Sequence, residues 1–416
     1  MSSTVEESQT QEGGNNFNSV HVAKVGGRGA TSASQEAAEK NLSLGAPPIR
    51  PNSGRYLSKN GRFEILTTIE PLETGKQLAP DSPARQAIEE LVDQLDYKKG
   101  VLLSSSYEFP GRYARWSIGF VDPPLEITGR GKKCTIRALN ARGKVLLGPI
   151  QESLSGLSEI LVDMNSVKDN DGRFTEVSLQ VKPAPEVGSF SEEERSRQPS
   201  LFSIIRDIVD SFHYQEDGTT QLGLYGAFGY DLTFQFEPID LKQERSEDQR
   251  DLLLYLPDRI VVVDQDKRDA WIVSYDFVVD GEASTKGLPR EGSIEPFSPF
   301  KEEGQTIVPR DTPLNEYSNS VTRAKEEFKV GNLFEAVLSQ TFREKLHKPP
   351  SVLFRRLQSR NPSPYGFIIN LGEQEYLVGA SPEMFVRCEQ ADGGWRVETC
   401  PISGTVARGA DALEDA

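Results

Sequence analysis

An α+β fold, with layered antiparallel β-sheets and flanking helices, is what this 416-residue sequence predicts. Three observations carry the prediction. Short segments of alternating apolar and polar residues follow one another between turn residues. Stretches with apolar residues three and four apart interrupt them as helices. The connections are mostly of hairpin length, too short for the crossovers of a parallel doubly wound sheet. No internal repeat is present.

Composition narrows the class. An apolar content of 36% is enough for a core in one large or two medium domains. A net charge of -16 argues against nucleic acid and against an anionic membrane surface, because the term that neutralises phosphates has the wrong sign. Cys134, Cys388 and Cys400 are too scattered for a disulfide framework or a paired-cysteine metal site, so a reducing compartment is expected. His21, His213 and His347 stand alone, without zinc-binding spacing. The sequence has no run of 18 apolar residues and no hydrophobic signal core at its N-terminus. Glu6, Glu7, Glu12, Glu36 and Glu39 are unlike an acid-poor transit peptide, which favours the cytoplasm and leaves a plastid open.

Taken in order, residues 1–50 are rich in Ser, Gly, Asn, Gln and Glu and read as a disordered extension. Residues 51–280 form a first ordered region. FEILTTI reads as a strand, and Asp81-Ser82-Pro83 opens a helix with Ile88, Leu91, Val92 and Leu95 on its apolar face. Val101 to Leu103 make a buried strand that ends in the serine run Ser104–Ser106. CTIRAL, KVLLGPI and EVSLQV read as strands, and FSIIRDIVDSFH as a helix. LGLYGAFGYDLTFQF reads as a core strand whose glycines allow close packing, since no GK[ST] follows them as a phosphate loop requires. LLLYLPDRIVVVDQDKRDAWIVSYDFVV reads as two strands joined at about 264–269. Residues 281–312, rich in Gly, Pro, Ser and acids, form a linker.

Residues 313–416 begin with a helix carrying Tyr317, Val321, Ala324 and Phe328, stopped by Gly331. FEAVLSQTF follows as a strand, VLFRRLQSRNP as a helix and YGFIINL as a strand. The stretch from Tyr376 to Gly409 contains GASPE and PISGT. There Gly379, Gly404 and Gly409 allow tight turns with bare N–H groups, and Ser381, Ser403 and Thr405 add hydroxyls that suit a carboxylate. Read without further context, these are two β-turns between strands near 384–388 and 395–399. No Ser-His-Asp or Cys-His arrangement can be inferred, and no catalytic residue is identifiable.

The order NPSPY, GASPE, PISGT resembles the chorismate-binding enzymes over about residues 50–416. Within them it is similar to component I of the anthranilate synthases, in the form fused to its glutamine amidotransferase. The resemblance implies a reaction in which ammonia adds to the ring of chorismate and the 2-amino intermediate eliminates pyruvate. Glu335 stands where isochorismate and salicylate synthases carry a lysine base, and Ser403 where aminodeoxychorismate synthases often carry a lysine nucleophile, which leaves space for ammonia.

Gly404 and Thr405 match the positions that hold chorismate. Leu103, Ser104 and Ser105 match one half of a feedback pocket for L-tryptophan, with Ser104 replacing an acidic residue. Pro364, Tyr365 and Gly366 match the other half, with Gly366 replacing a methionine. The resemblance also implies Mg²⁺ on the ring carboxylate, a glutamine amidotransferase as partner subunit or fused domain, and scope for a homo-oligomer. Its acidic Mg²⁺ ligands and catalytic histidine follow PISGT. They are expected beyond Ala416, so the C-terminal part reads as incomplete and this chain alone as inactive.

Overall fold

The computed structural model describes residues 50–74, 82–106, 116–183, 191–195, 197–214, 220–237, 239, 244–265, 267–301, 307–391, 394–402, 407, 409–410 and 414. The extension at 1–49 and the tip of PISGT, with Ser403, Gly404 and Thr405, lie outside the described residues.

The first sheet begins with β1 (Gly54–Leu57) and β2 (Phe63–Thr74). Helix α1 (Pro83–Gln94) follows, where Ser82 Oγ accepts from the Arg85 amide and Pro83 occupies the first turn, as the sequence predicts. Strands β3 (Gly100–Ser104) and β4 (Trp116–Val121) continue this sheet, and β5 (Leu125–Arg130) and β6 (Lys133–Ala138) start a second.

Helix α2 (Ala141–Ser155) contains KVLLGPI, which is therefore helical and not a strand. Asn140 caps it by accepting from the Arg142 and Gly143 amides, and Leu146, Leu147, Ile150 and Leu154 form one buried stripe. A short apolar run fits both periods, and the cap decides between them here. Strands β7 (Leu161–Lys168) and β8 (Phe174–Val181) then lead to α3 (Leu201–Phe212).

The long glycine-rich stretch forms only β9 (Tyr225–Phe228), followed by a 3₁₀ helix, Tyr230–Gln235. It is an edge strand rather than a core strand, and Tyr230 is 80% exposed. Its glycines do serve close packing: a Cβ on Gly226 would lie 2.0 Å from the Leu253 carbonyl oxygen.

LLLYLPDRIVVVD makes two strands instead of one. β10 (Leu252–Leu256) joins the second sheet and β11 (Arg259–Asp264) the first. Pro257 lies at the switch, where its missing N–H cannot continue a ladder. The hairpin to β12 (Asp269–Val279) forms as expected, and β13 (Ala283–Ser284) pairs with β12. After 313 come α4 (Glu316–Lys329), α5 (Pro350–Arg360), β14 (Tyr365–Asn370), β15 (Tyr376–Ser381) and the hairpin β16 (Met384–Ala391) with β17 (Gly394–Cys400).

FEAVLSQTF forms no strand. Its one backbone pairing is an isolated bridge from Phe342 to Arg310, and Phe334 is fully exposed. A strand needs a neighbouring ladder to pair its backbone N–H and C=O groups, and among the described residues none lies beside this run.

Among the described residues all strand pairings are antiparallel. The first sheet has nine strands in the order β1-β2-β12-β11-β4-β3-β14-β15, with β13 on β12. The second has six, β7-β8-β6-β5-β10-β9. The main core joins residues of both sheets, such as Phe63, Ile127, Ile136 and Trp271, to α2 and α3. On the other face of the first sheet, Val92 of α1, Leu95 at its C-cap and Phe354 of α5 pack on Leu102 and Ile368. Among the described residues no helix is long and apolar enough to cross a membrane.

Strands from before and after the 281–312 stretch thus share one sheet. Residues 283–300 of that stretch are tied down along their length. The buried guanidinium of Arg142 donates to the carbonyl oxygens of Thr285 and Tyr275 and pairs with Asp258 and Asp276. The Gly292 amide donates to Asp122, and the Phe297 amide to the Asp96 carbonyl.

Candidate functional site

Strand β14 lies against β3 with Gly366 opposite Ser104 and Phe367 opposite Leu103. The two candidate halves, far apart in sequence, are therefore neighbours within one sheet. The contact is close: a Cβ on Gly366 would come 2.6 Å from the Ser104 carbonyl oxygen. Just past the paired residues, the Ser106 amide donates to the Ser363 carbonyl at 3.0 Å and the Ser363 amide to Ser106 Oγ at 3.0 Å. These bonds carry the alignment into the NPSPY segment.

Beside this contact is a cavity of about 250 Å³, lined by Arg85, Ile88 and Glu89 of α1, by Ser104, Ser105 and Ser106, and by Ser117, Gln265 and Gln358, with Ala84 and Val263. Its volume is somewhat below the roughly 300–1,000 Å³ usual for small-molecule sites. Ser104 Oγ and Ser117 Oγ are 2.8 Å apart, both nearly inaccessible, and Gln358 Nε2 donates to Ser104 Oγ at 3.3 Å.

Alternation along β3 separates the remaining candidates. Leu103 packs on the opposite face, in a cluster with Phe120, Tyr255 and Ile369. Of the six candidates, Ser104 and Ser105 line the cavity and Gly366 adjoins Ser104 across the strands. Leu103, Pro364 and Tyr365 do not line it. Ser106, Ser117, Ser363 and Gln358 were not singled out one by one from the sequence, because their roles depend on which strand and helix meet there.

The walls are fixed by polar bonds between helices and strands. Arg355 of α5 reaches Glu89 and Asp93 of α1, each at 2.8 Å. The carboxylate of Asp96 accepts from the Ser351 amide at 2.8 Å and from its hydroxyl at 2.6 Å, satisfying donors at the start of α5. Asn370 Nδ2 donates to the Leu95 carbonyl at 2.9 Å and Tyr376 Oη to that of Asp96 at 3.1 Å. Burial, with Glu295 and Asp96 near, pushes the Tyr376 phenol up to about 12, so it stays a donor.

Gly379 of GASPE is not at a turn. It sits inside β15 opposite Phe367, whose ring covers it so closely that a Cβ would lie 2.1 Å from ring carbon Cζ. The glycine makes room for an aromatic ring, and the expected tight turn is absent there. Glu335 is exposed on the unpaired segment before Phe342. Among the described residues, no group of three His, Cys, Asp or Glu side chains could hold a metal ion. Burial pushes the Cys134 thiol up to about 12, which makes it an inert core residue.

A family model described as chorismate binding enzyme matches residues 167–416, more than half of the chain. The protein belongs to the chorismate-binding enzyme family. It is 48% identical over 334 residues to the anthranilate synthase of Azospirillum brasilense, which covers 80% of this chain and 43% of that one. It is also 29% identical over 228 residues to anthranilate synthase component 1 of Aquifex aeolicus, covering 51% and 45% of the two chains. With the component 1 of Haemophilus influenzae it shares 27% over 321 residues, covering 75% and 58%. The chain spans about half the length of these curated relatives.

Proposed function

We propose that this chain belongs to the large component of an anthranilate synthase and that the junction of β3 and β14 is its feedback site for L-tryptophan. The junction itself supports the reading: the register sets Gly366 of one expected half against Ser104 of the other, and Ser104 and Ser105 line the polar cavity beside that contact. The 48% identity to an anthranilate synthase supports the reaction. In it, ammonia adds to the chorismate ring with loss of a hydroxyl as water, and the 2-amino intermediate eliminates pyruvate to leave anthranilate.

Gly404 and Thr405 are the proposed contacts for a chorismate carboxylate, through backbone N–H and hydroxyl. Ammonia comes from a glutamine amidotransferase, as a partner subunit or fused domain, or from solution. Mg²⁺ is the proposed counter-ion of the ring carboxylate, and the described residues provide no ligand set for it.

The test incubates the chain extended beyond PISGT through the expected Mg²⁺ ligands with chorismate, ammonium and Mg²⁺, and follows anthranilate fluorescence with and without tryptophan. Anthranilate that disappears with tryptophan is the expected result. Formation of 4-amino-4-deoxychorismate instead would overturn the assignment within the family. Tryptophan binding without turnover would identify a binding module.

A further inference from the structure

The serine run is divided by its partners. Ser104 is tied through its hydroxyl to Ser117 of β4 at 2.8 Å and to Gln358 of α5 at 3.3 Å, so one side chain joins a strand on one side of β3 to a helix on its face. Ser106 is tied to Ser363 by two bonds at 3.0 Å, and its hydroxyl also donates to the Ser363 carbonyl at 3.4 Å. Between them, Ser105 donates its amide to the Trp116 carbonyl at 2.8 Å. Ser105 is thus held at a fixed height on the cavity wall by residues on both sides of it.

We propose that Ser106, Ser117 and Gln358 are positioning residues for the amino-acid site: from the cavity lining they fix Ser105 and the NPSPY segment relative to each other. The inference rests on the tryptophan reading above. Its physical basis is that Ser104 and Ser117 are only 5% and 2% exposed. Inside, a hydroxyl that loses its partner leaves the other one unsatisfied, and the local backbone shifts to recover a bond. Gly366 is in contact with the Ser104 carbonyl, so a shift of β3 moves β14 as well.

The experiment is a calorimetric titration of tryptophan into the wild type and into Ser117→Ala, Ser106→Ala and Gln358→Leu, with Ser117→Thr and Ser106→Thr as conservative partners. The control is Tyr255→Phe, which removes the buried bond from Tyr255 Oη to the Asn370 carbonyl at the far end of β14. Thermal denaturation of every variant accompanies the titrations.

The alanine and leucine variants are expected to bind tryptophan about three- to tenfold more weakly, the range that corresponds to one net hydrogen bond. The threonine variants return to within about twofold of wild type. Tyr255→Phe lowers the melting temperature and leaves the affinity unchanged. If the wild type binds and the three variants bind equally well, the positioning role is overturned while the tryptophan site stands. The positioning role is equally overturned if Tyr255→Phe loses as much affinity as they do. A folded wild type that binds no tryptophan overturns both.

Discussion

Gly366 stands opposite Ser104 across the β3–β14 pairing, so close that a Cβ at 366 would lie 2.6 Å from the serine's carbonyl oxygen. Backbone on both sides leaves no flexible side chain to yield. Gly366→Ala is therefore expected to destabilise the fold by about 1–3 kcal/mol, the usual cost of overpacking. Urea denaturation measures it. An unchanged midpoint would mean that the two strands are farther apart in solution.

Gly379 and Phe367 form a second tight pair, with the ring over the missing side chain. Gly379→Ala costs about 1–3 kcal/mol for the same reason. Combined with Phe367→Leu, it should cost less than the sum of the two single changes, since the smaller residue vacates the space. A double-mutant cycle reads the coupling, and strict additivity would show that the ring does not rest on Gly379.

Much of the fold was legible in the sequence. The helices at 83–94 and 201–212, the hairpin at 264–269 and the antiparallel layering all follow from local periodicity and turn chemistry. The departures share one cause. KVLLGPI, the glycine-rich stretch at 222–236 and FEAVLSQTF are apolar runs whose state depends on a cap, a sheet edge or a missing ladder partner, and none of these is encoded in the run itself. The candidate pocket was legible as two motifs only through family resemblance. Their adjacency comes from the β3–β14 pairing, and the contributions of Ser117 and Gln358 from the β3–β4 pairing and the packing of α5, none of which a local pattern announces.

Arg142 and Asp258 form a buried pair, 1% and 2% exposed, that ties α2 to the turn between β10 and β11. Arg290 adds a second guanidinium 3.4 Å from Asp258. Arg142→Met leaves a buried carboxylate with one remaining cation and is expected to cost about 3–5 kcal/mol. Adding Asp258→Leu should recover most of that loss. Urea denaturation of both variants checks the pair, and a loss below about 1 kcal/mol in the single mutant would place Arg142 among surface ion pairs.

Acid stability should depend on carboxylates paired in the folded state. The bond from Arg137 holds the Glu176 carboxyl below its ordinary 4.5, and the bond from Lys144 holds that of Asp169 below 3.8. A lowered folded-state value means that the unfolded chain binds the proton more readily. The contribution is complete above the unfolded values and is lost as pH falls through the folded ones. Melting temperature should stay level from neutral pH to about 5 and fall below about 4. Lys144→Met should flatten part of that acid limb, and an identical acid limb in this variant would rule the Asp169 pair out as a contributor.

The most direct test of the tryptophan site is a calorimetric titration on the wild type and on Ser105→Phe. Ser105 is 5% exposed on the cavity wall, so a phenyl ring there fills space that a ligand would need. Saturable binding of tryptophan by the wild type is the predicted result. Affinity in the variant should be lower by well over tenfold, corresponding to about 1.4 kcal/mol or more. Equal affinity in the two folded proteins would contradict the assignment of Ser105, and no binding by the wild type would contradict the site as a whole.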